Sequence, residues 1–153
     1  MLNNFPIFSV LKPGEDVDYS VNPFFERAAL IIPIKSSGDF LVYDKFDDLY
    51  RFPGGHVEKD ETNLDAAFRE TSEEVGVDLN KTLGKYLLSL NNFYYFKNQP
   101  SHVLEHYFYY PAIDIKDLEK ARQSETGLRR IVVSEQKLRD QNWPQINYVL
   151  DKF

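Results

Sequence analysis

Between Thr62 and Val75 the chain commits itself to one amphipathic helix. Leu64, Ala67, Phe68, Thr71 and Val75 recur at i, i+3, i+4, i+7 and i+11, a single stripe at about 100° per residue. Thr62 or Asp60 can cap the start. Gly76 follows the last periodic residue, where a left-handed C-cap is expected. Such a helix must bury its stripe against another layer, and the flanking segments read as strands. Glu26–Ile34 is an apolar run suited to a strand covered on both faces, with Pro33 near its end or at a bulge. Ser36-Ser37-Gly38-Asp39 turns the chain into Phe40–Tyr43, so a hairpin is expected. Leu49–Phe52 is a short strand closed by Pro53-Gly54-Gly55.

Beyond the helix, Leu83–Phe96, Val103–Ala112 and Leu128–Val133 read as strands, and Asp114–Ser124 as a short helix or a charged loop. Ser134–Arg139 and Pro144–Leu150 read as helical turns, the second opened by Pro at N1. Residues 1–25, punctuated by Pro6, Pro13-Gly14 and Asn22-Pro23, read as an arm or an edge strand. Strands on both sides of a central helix, with helices again at the end, imply an α/β fold: a mixed sheet with helices on its faces. At 153 residues, 42% of them hydrophobic, the whole chain 1–153 is expected to be a single domain around one core.

The same helix carries acid. Glu70, Glu73 and Glu74 stand at i, i+3 and i+4, so their side chains meet on one face, taken to lie opposite the apolar stripe. Unit charges 4 Å apart repel by about 1 kcal/mol in bulk water and about 4 kcal/mol at an effective dielectric of 20. A divalent cation reverses that sign. Mg²⁺ takes oxygen ligands and is usually shared with substrate phosphates. Arg69 can hold one of these carboxylates in a bidentate pair. Gly54-Gly55 lets the backbone come close to the helix, leaving a carbonyl oxygen as a further ligand. The competing reading is a solvated, Glu-rich surface. An EF-hand is excluded, because no Asp-rich loop with its Gly is present.

The stretch Gly55–Val77 resembles the signature box of the Nudix hydrolases in its Gly55, Glu61, Arg69-Glu70, Glu73-Glu74, Gly76 and Val77. Thr71, where an aliphatic is usual, is the one departure. Its position in the stripe lets its methyl pack. The resemblance implies an α/β/α sandwich. It also implies a pyrophosphohydrolase that cleaves the diphosphate linkage of a nucleoside diphosphate joined to another group X, with Mg²⁺ or Mn²⁺. By the same resemblance Glu70, Glu73 and Glu74 are metal ligands, with the Gly54 carbonyl as an extra one. One glutamate, Glu73 or Glu70, doubles as base. Arg69 orients a glutamate, with Glu73 preferred, and Glu61 supports the loop directly or through metal-bound water. The family often draws a further ligand or base from outside the box, and Glu105 is the candidate, against an edge-strand charge as the alternative.

Arg27, Arg51 and Tyr94 are the candidate substrate-binding residues, with Phe24, Phe25, Tyr95 and Phe96 as further stacking candidates. Arg51 has the alternative of pairing with Asp47 or Asp48. His56 can touch phosphate or lie on a loop surface. His102 and His106 are expected to be structural or exposed. The alternative function is a nucleotide-binding or sensor module with little turnover, and a third reading is an acidic structural domain.

A net charge of −6 lacks the basic footprint of a nucleic-acid binder. The absence of Cys excludes a disulfide scaffold, a thiolate metal site and a thiol nucleophile. The longest apolar run, Ala28–Ile34, falls far short of the ~20 residues that cross a bilayer, and the N-terminus has no leader pattern. The expectation is a cytoplasmic enzyme with a small-molecule partner and no nucleic-acid or membrane partner. A homodimer is compatible with the N-terminal arm and the aromatic strands.

Overall fold

A computed structural model describes residues 3–17 and 25–153. Its elements are β1 (Ile7–Ser9), β2 (Phe25–Pro33), β3 (Phe40–Asp44), β4 (Tyr50–Arg51), β5 (Gly54–His56), α1 (Asn63–Val75), β6 (Lys85–Phe96), β7 (Gln99–Tyr109), β8 (Arg129–Val133), α2 (Glu135–Arg139) and α3 (Pro144–Lys152).

β2 is the axis. Its residues alternate between two apolar clusters, because successive strand side chains point to opposite faces. Ala28, Leu30 and Ile32 pack with Ala66, Ala67 and Val75 of α1. Ala29 and Ile31 pack with Leu138 of α2 and with Ile146, Val149 and Leu150 of α3. The result is helix, mixed sheet, helix, as expected for an α/β/α sandwich.

The sheet order is β1-β6-β7-β2-β3-β4, with β5 on β2 and β8 on β3. β2 runs parallel to β7, from Phe25 beside Val103 to Ile31 beside Tyr109. On its other edge β2 divides. Its first half pairs antiparallel with β5, placing Ala28 opposite Gly55 and Ala29 opposite Gly54. Its end pairs with β3, Ile32 opposite Leu41. Among the described residues no helix is long and apolar enough to cross a membrane.

Several boundaries differ from the sequence reading. β7 starts at Gln99, not Val103, and ends at Tyr109. Lys97 and Asn98 both have positive φ, so a two-residue turn joins β6 directly to β7. Pro100 lies within β7 opposite Tyr95, one pair from the hairpin end. Residues 115–120 are a 3₁₀ helix. β1 is an edge strand parallel to β6. It is tied down by the Asn91 amide, which donates to Asn3 Oδ1 at 2.7 Å and to the Phe5 carbonyl at 3.1 Å. Thr62 caps α1 rather than Asp60, in a reciprocal box with Asp65.

Candidate active site

The site is built where α1 meets β5. Gly76 ends α1 in the left-handed conformation, with φ +70°. Gly55 of β5 lies so close to α1 that a Cβ there would collide with the Glu70 carboxylate. The absence of a side chain at this position makes the contact between sheet and acidic helix face.

Arg69 organises the acids. Its Nε and Nη2 donate to Glu61 at 3.1 and 2.9 Å. Its Nη1 donates to Glu70 Oε1 at 2.9 Å and to Glu73 Oε2 at 3.2 Å, and Nη2 also reaches the His56 carbonyl at 2.9 Å. The planar guanidinium alone can serve so many acceptors at once. Hydrogen bonding to Glu61, with the nearby Glu70 charge, pushes Arg69 up, and the same guanidinium holds Glu61 below the usual carboxylate range. Glu61 also accepts the Glu58 N–H at 2.7 Å, closing the loop before the helix. Glu70 is pushed up by burial, against the opposing pull of Arg69, with Glu73 adding to the rise.

Glu74 departs from the sequence reading of an acid face opposite the apolar stripe. It is buried beside Thr71 and Val75. Its Oε1 accepts the Gly54 N–H at 2.7 Å, and burial together with the Glu74 charge pushes the Tyr43 phenol up. Burial lifts its carboxyl to about 7, with the Glu70 charge adding to the rise. Thr71 is buried as expected, and its hydroxyl is satisfied by the Ala67 carbonyl at 2.7 Å.

Glu105 also differs. It lies within β7 rather than opening it, and it is buried instead of being an exposed edge charge. Arg27 donates to it at 3.1 Å and the Tyr107 hydroxyl at 3.3 Å. A second Arg27 nitrogen donates to the Gly54 carbonyl at 3.2 Å, the oxygen singled out as an extra ligand. Burial pushes Arg27 down, but the Glu105 charge and its neighbours outweigh it and the net direction is up.

Arg27, Arg51, Tyr94, Glu105 and His56 line one cavity of about 490 Å³ on the α3 side of the sheet. Arg51 also pairs with Asp47 at 2.9 Å, as the alternative had it, and its guanidinium carbon lies 5.8 Å from the Trp143 ring centroid. Phe25 and Phe96 pack against His56, and the Tyr95 hydroxyl binds Glu15, so none of these three is among the residues lining the cavity. Phe24 lies outside the described residues. His106 is structural: it is buried and bonded to Ser89 at 2.7 Å and Glu26 at 3.0 Å. His102 is buried against Asn91 and stacked on Phe93. Lys45, Asn92, Trp143 and Gln145 also line the cavity, and the sequence reading does not single them out. They come from three separate stretches of the chain, around β3, β6 and the start of α3, and no motif in the sequence links them.

Among the described residues no three His, Asp or Glu side chains are gathered closely enough to form a ready-made ion cage. The donor set nevertheless suits a hard divalent cation. Glu70 and Glu73 offer only oxygen, and both already converge on one cationic nitrogen of Arg69.

The sequence profile of the NUDIX domain matches residues 25–153. No curated protein matches the chain. Among solved structures, an Ap4A hydrolase from C. elegans aligns with a TM-score of 0.57 and 22% identity, over 85% of this chain and 96% of the other. A NUDIX hydrolase from Nitrosomonas europaea gives 0.59 and 16%, over 84% and 86%. A structure from work on MutT of Aliivibrio salmonicida and Vibrio cholerae gives 0.55 and 19%, over 84% and 98%. At these identities the likeness speaks for a common sandwich.

Proposed function

The chain belongs to the Nudix family of pyrophosphohydrolases, and on that premise we propose that it cleaves the diphosphate linkage of a nucleoside diphosphate derivative with Mg²⁺ or Mn²⁺. The observation that carries the reading is the convergence of Glu70 and Glu73 on Arg69, beside a cavity with Arg27, Lys45 and Arg51 in its wall. The proposal takes residues 1–153 as one domain and the cytoplasm as its place, which a cysteine-free sequence accommodates.

Glu70, Glu73 and Glu74 would hold the cation, with the Gly54 carbonyl as a further oxygen. When bound, such an ion neutralises diphosphate charge and lowers the pKa of water. Arg69 fixes the rotamers of Glu70 and Glu73 through its fork. Glu61 anchors Arg69 from the loop side. Glu73, the most exposed of the three at 35% of its side chain, is best placed to take a proton from water. Arg27, Lys45 and Arg51 attract the substrate phosphates to a protein whose net charge is −6. Glu105 orients Arg27. The C. elegans neighbour is named for Ap4A, which makes a dinucleoside polyphosphate one natural choice beside nucleoside triphosphates and sugar nucleotides.

The test is incubation with Mg²⁺ and a panel of these three substrate classes, reading new phosphate monoesters with and without chelator. Metal-dependent release of monoester from at least one class is expected. Tight binding of a nucleotide with no turnover would move the reading to a nucleotide sensor. Neither binding nor turnover would leave an acidic structural domain.

A further inference from the structure

A second cavity, of about 730 Å³, lies on the α1 side of the sheet and shares no residue with the first. It forms where β2 and β7 run out, with Lys35 and Tyr110 just past their ends, between the turn that follows α1 and the 3₁₀ helix at 115–120. Backbone bonds fix the sheet side. The Tyr110 N–H donates to the Ile31 carbonyl at 2.9 Å, the Ile113 N–H to Pro33 at 2.9 Å and the Lys35 N–H to Ile113 at 2.8 Å. Val77, Leu79 and Ile113 give the cavity an apolar lining. Its volume is that of a pocket for one small molecule.

The polar groups of this cavity are unequally occupied. Asp78 is taken by Arg122 and by the Ser72 hydroxyl, which donates to it at 2.7 Å. Asp117 turns back on its own helix and accepts the Asp114 N–H at 3.3 Å. The Val75 and Gly76 carbonyls that end α1 would oppose an anion, but they already accept from the Arg130 side chain at 2.8 Å and from the Arg122 N–H at 2.9 Å. Three groups are left over. The side chains of Lys35 and Lys120 make no ion pair and no hydrogen bond among the described residues. Tyr110 is more than nine-tenths buried, yet its hydroxyl makes no hydrogen bond among them either. A polar atom on so buried a residue is normally matched. That hydroxyl is not sealed inside the protein, so it meets the cavity that Tyr110 lines. All three groups can donate, and two of them are cationic.

The complement is an anion with an apolar body. Asp78 and Asp117 in the same wall count against a doubly charged phosphate and for a single carboxylate. We propose that this cavity is a second ligand site, for a small organic acid that joins a carboxylate to an apolar body. The inference does not rest on the hydrolase reading, and it is tested on the full chain without metal or nucleotide. Calorimetric titration with 4-phenylbutyrate, 4-phenylbutanamide and 4-phenylbutylamine isolates the charge on one scaffold, and acetate isolates the apolar body. The acid is expected to bind at least about tenfold more tightly than each of the other three, the scale of a charge-assisted contact. The amide resonances of Gly76 and Arg122 are expected to shift during the titration, and those of Gly54 and Asn92 to stay. Lys35 and Lys120 are both exposed, so changing them leaves the core intact. The double variant Lys35→Gln with Lys120→Gln is expected to bring the acid to the level of the amide. Tyr110→Phe is expected to weaken the acid at least about threefold, the scale of one hydrogen bond. No binding of the acid, equal binding of acid and amide or of acid and acetate, or shifts confined to Gly54 and Asn92 overturns the proposal. So does undiminished affinity in either variant. Turnover of nucleotides bears on the hydrolase reading alone and moves none of these results.

Discussion

Glu74 reaches from α1 to accept the backbone N–H of Gly54 at 2.7 Å, so the acidic helix is fastened to β5 by one of its own acids. The bond satisfies a buried amide and places a carboxyl in a poorly solvated position. Burial lifts it from an ordinary 4.5 to about 7.

That shift has a sign. A carboxyl with a raised folded-state pKa binds its proton more tightly when folded. Its favourable contribution is complete below about pH 4.5 and is lost as pH rises through about 7. The metal-free protein should lose on the order of 3 kcal/mol across that window. Glu74→Gln keeps an acceptor for Gly54 and removes the titration. Its metal-free thermal midpoint should exceed that of the wild type at pH 8 and approach it at pH 4.5. Its turnover should fall at least about a hundredfold, the order expected when one charge stabiliser is lost. A wild-type midpoint no more pH-dependent than the variant's would refute the assignment.

The two neighbouring glycines should fail in different ways. A Cβ on Gly54 would lie 2.6 Å from the Ala28 carbonyl oxygen and 2.8 Å from Ala29 Cα, both rigid backbone atoms of β2. Gly54→Ala should therefore cost about 1–3 kcal/mol of stability as overpacking, read by urea denaturation. The atoms nearest a Cβ on Gly55 are the end of the Glu70 side chain, which can swing away. Gly55→Ala should keep nearly wild-type stability and lose about a hundredfold in turnover, the scale of a 1 Å misplacement.

The helix and its caps were legible because periodicity, Thr62 and Gly76 are local signals. A strand covered on both faces was legible because the run at Glu26–Ile34 has no polar face to spare, and the sandwich itself followed from the resemblance carried by Gly55–Val77. The burial of Glu74 and Glu105 was not. A glutamate on a helix or strand looks solvated until the partners that compensate it are known, and here these are a backbone amide of β5 and a guanidinium from β2. Arg27 and Glu105 lie far apart in the chain and become neighbours only through the parallel pairing of β2 with β7. The β6–β7 turn was hidden because Lys97-Asn98 lacks the glycine that marks most tight turns of this kind.

Arg69 serves Glu61, Glu70, Glu73 and the His56 carbonyl from one fork. Lysine carries the charge but only a point of it. Arg69→Lys should reduce turnover or apparent metal affinity by about 10–100-fold, as loss of a ligand-orienting partner does. Raising Mg²⁺ should recover part of the loss if affinity is what changed. Turnover measured against Mg²⁺ concentration checks this, and full activity at ordinary Mg²⁺ would remove Arg69 from the orienting role.

The Arg27–Glu105 pair makes the last prediction. Glu105 keeps only 7% of its side chain exposed, whereas Arg27 keeps 27%. Removing the guanidinium leaves a buried carboxylate without its main partner, a loss of 3–5 kcal/mol for a fully enclosed pair. Because Arg27 is partly solvated, Arg27→Met should cost about 2 kcal/mol, below that range. Replacing both charges, Arg27→Met with Glu105→Leu, removes the stranded carboxylate as well, and the double variant should be more stable than Arg27→Met alone. Urea denaturation of the two single variants and the double variant yields the coupling directly. Additive losses would mean that the two side chains are solvated independently, and Arg27 would then lose its anchor beside the Gly54 carbonyl.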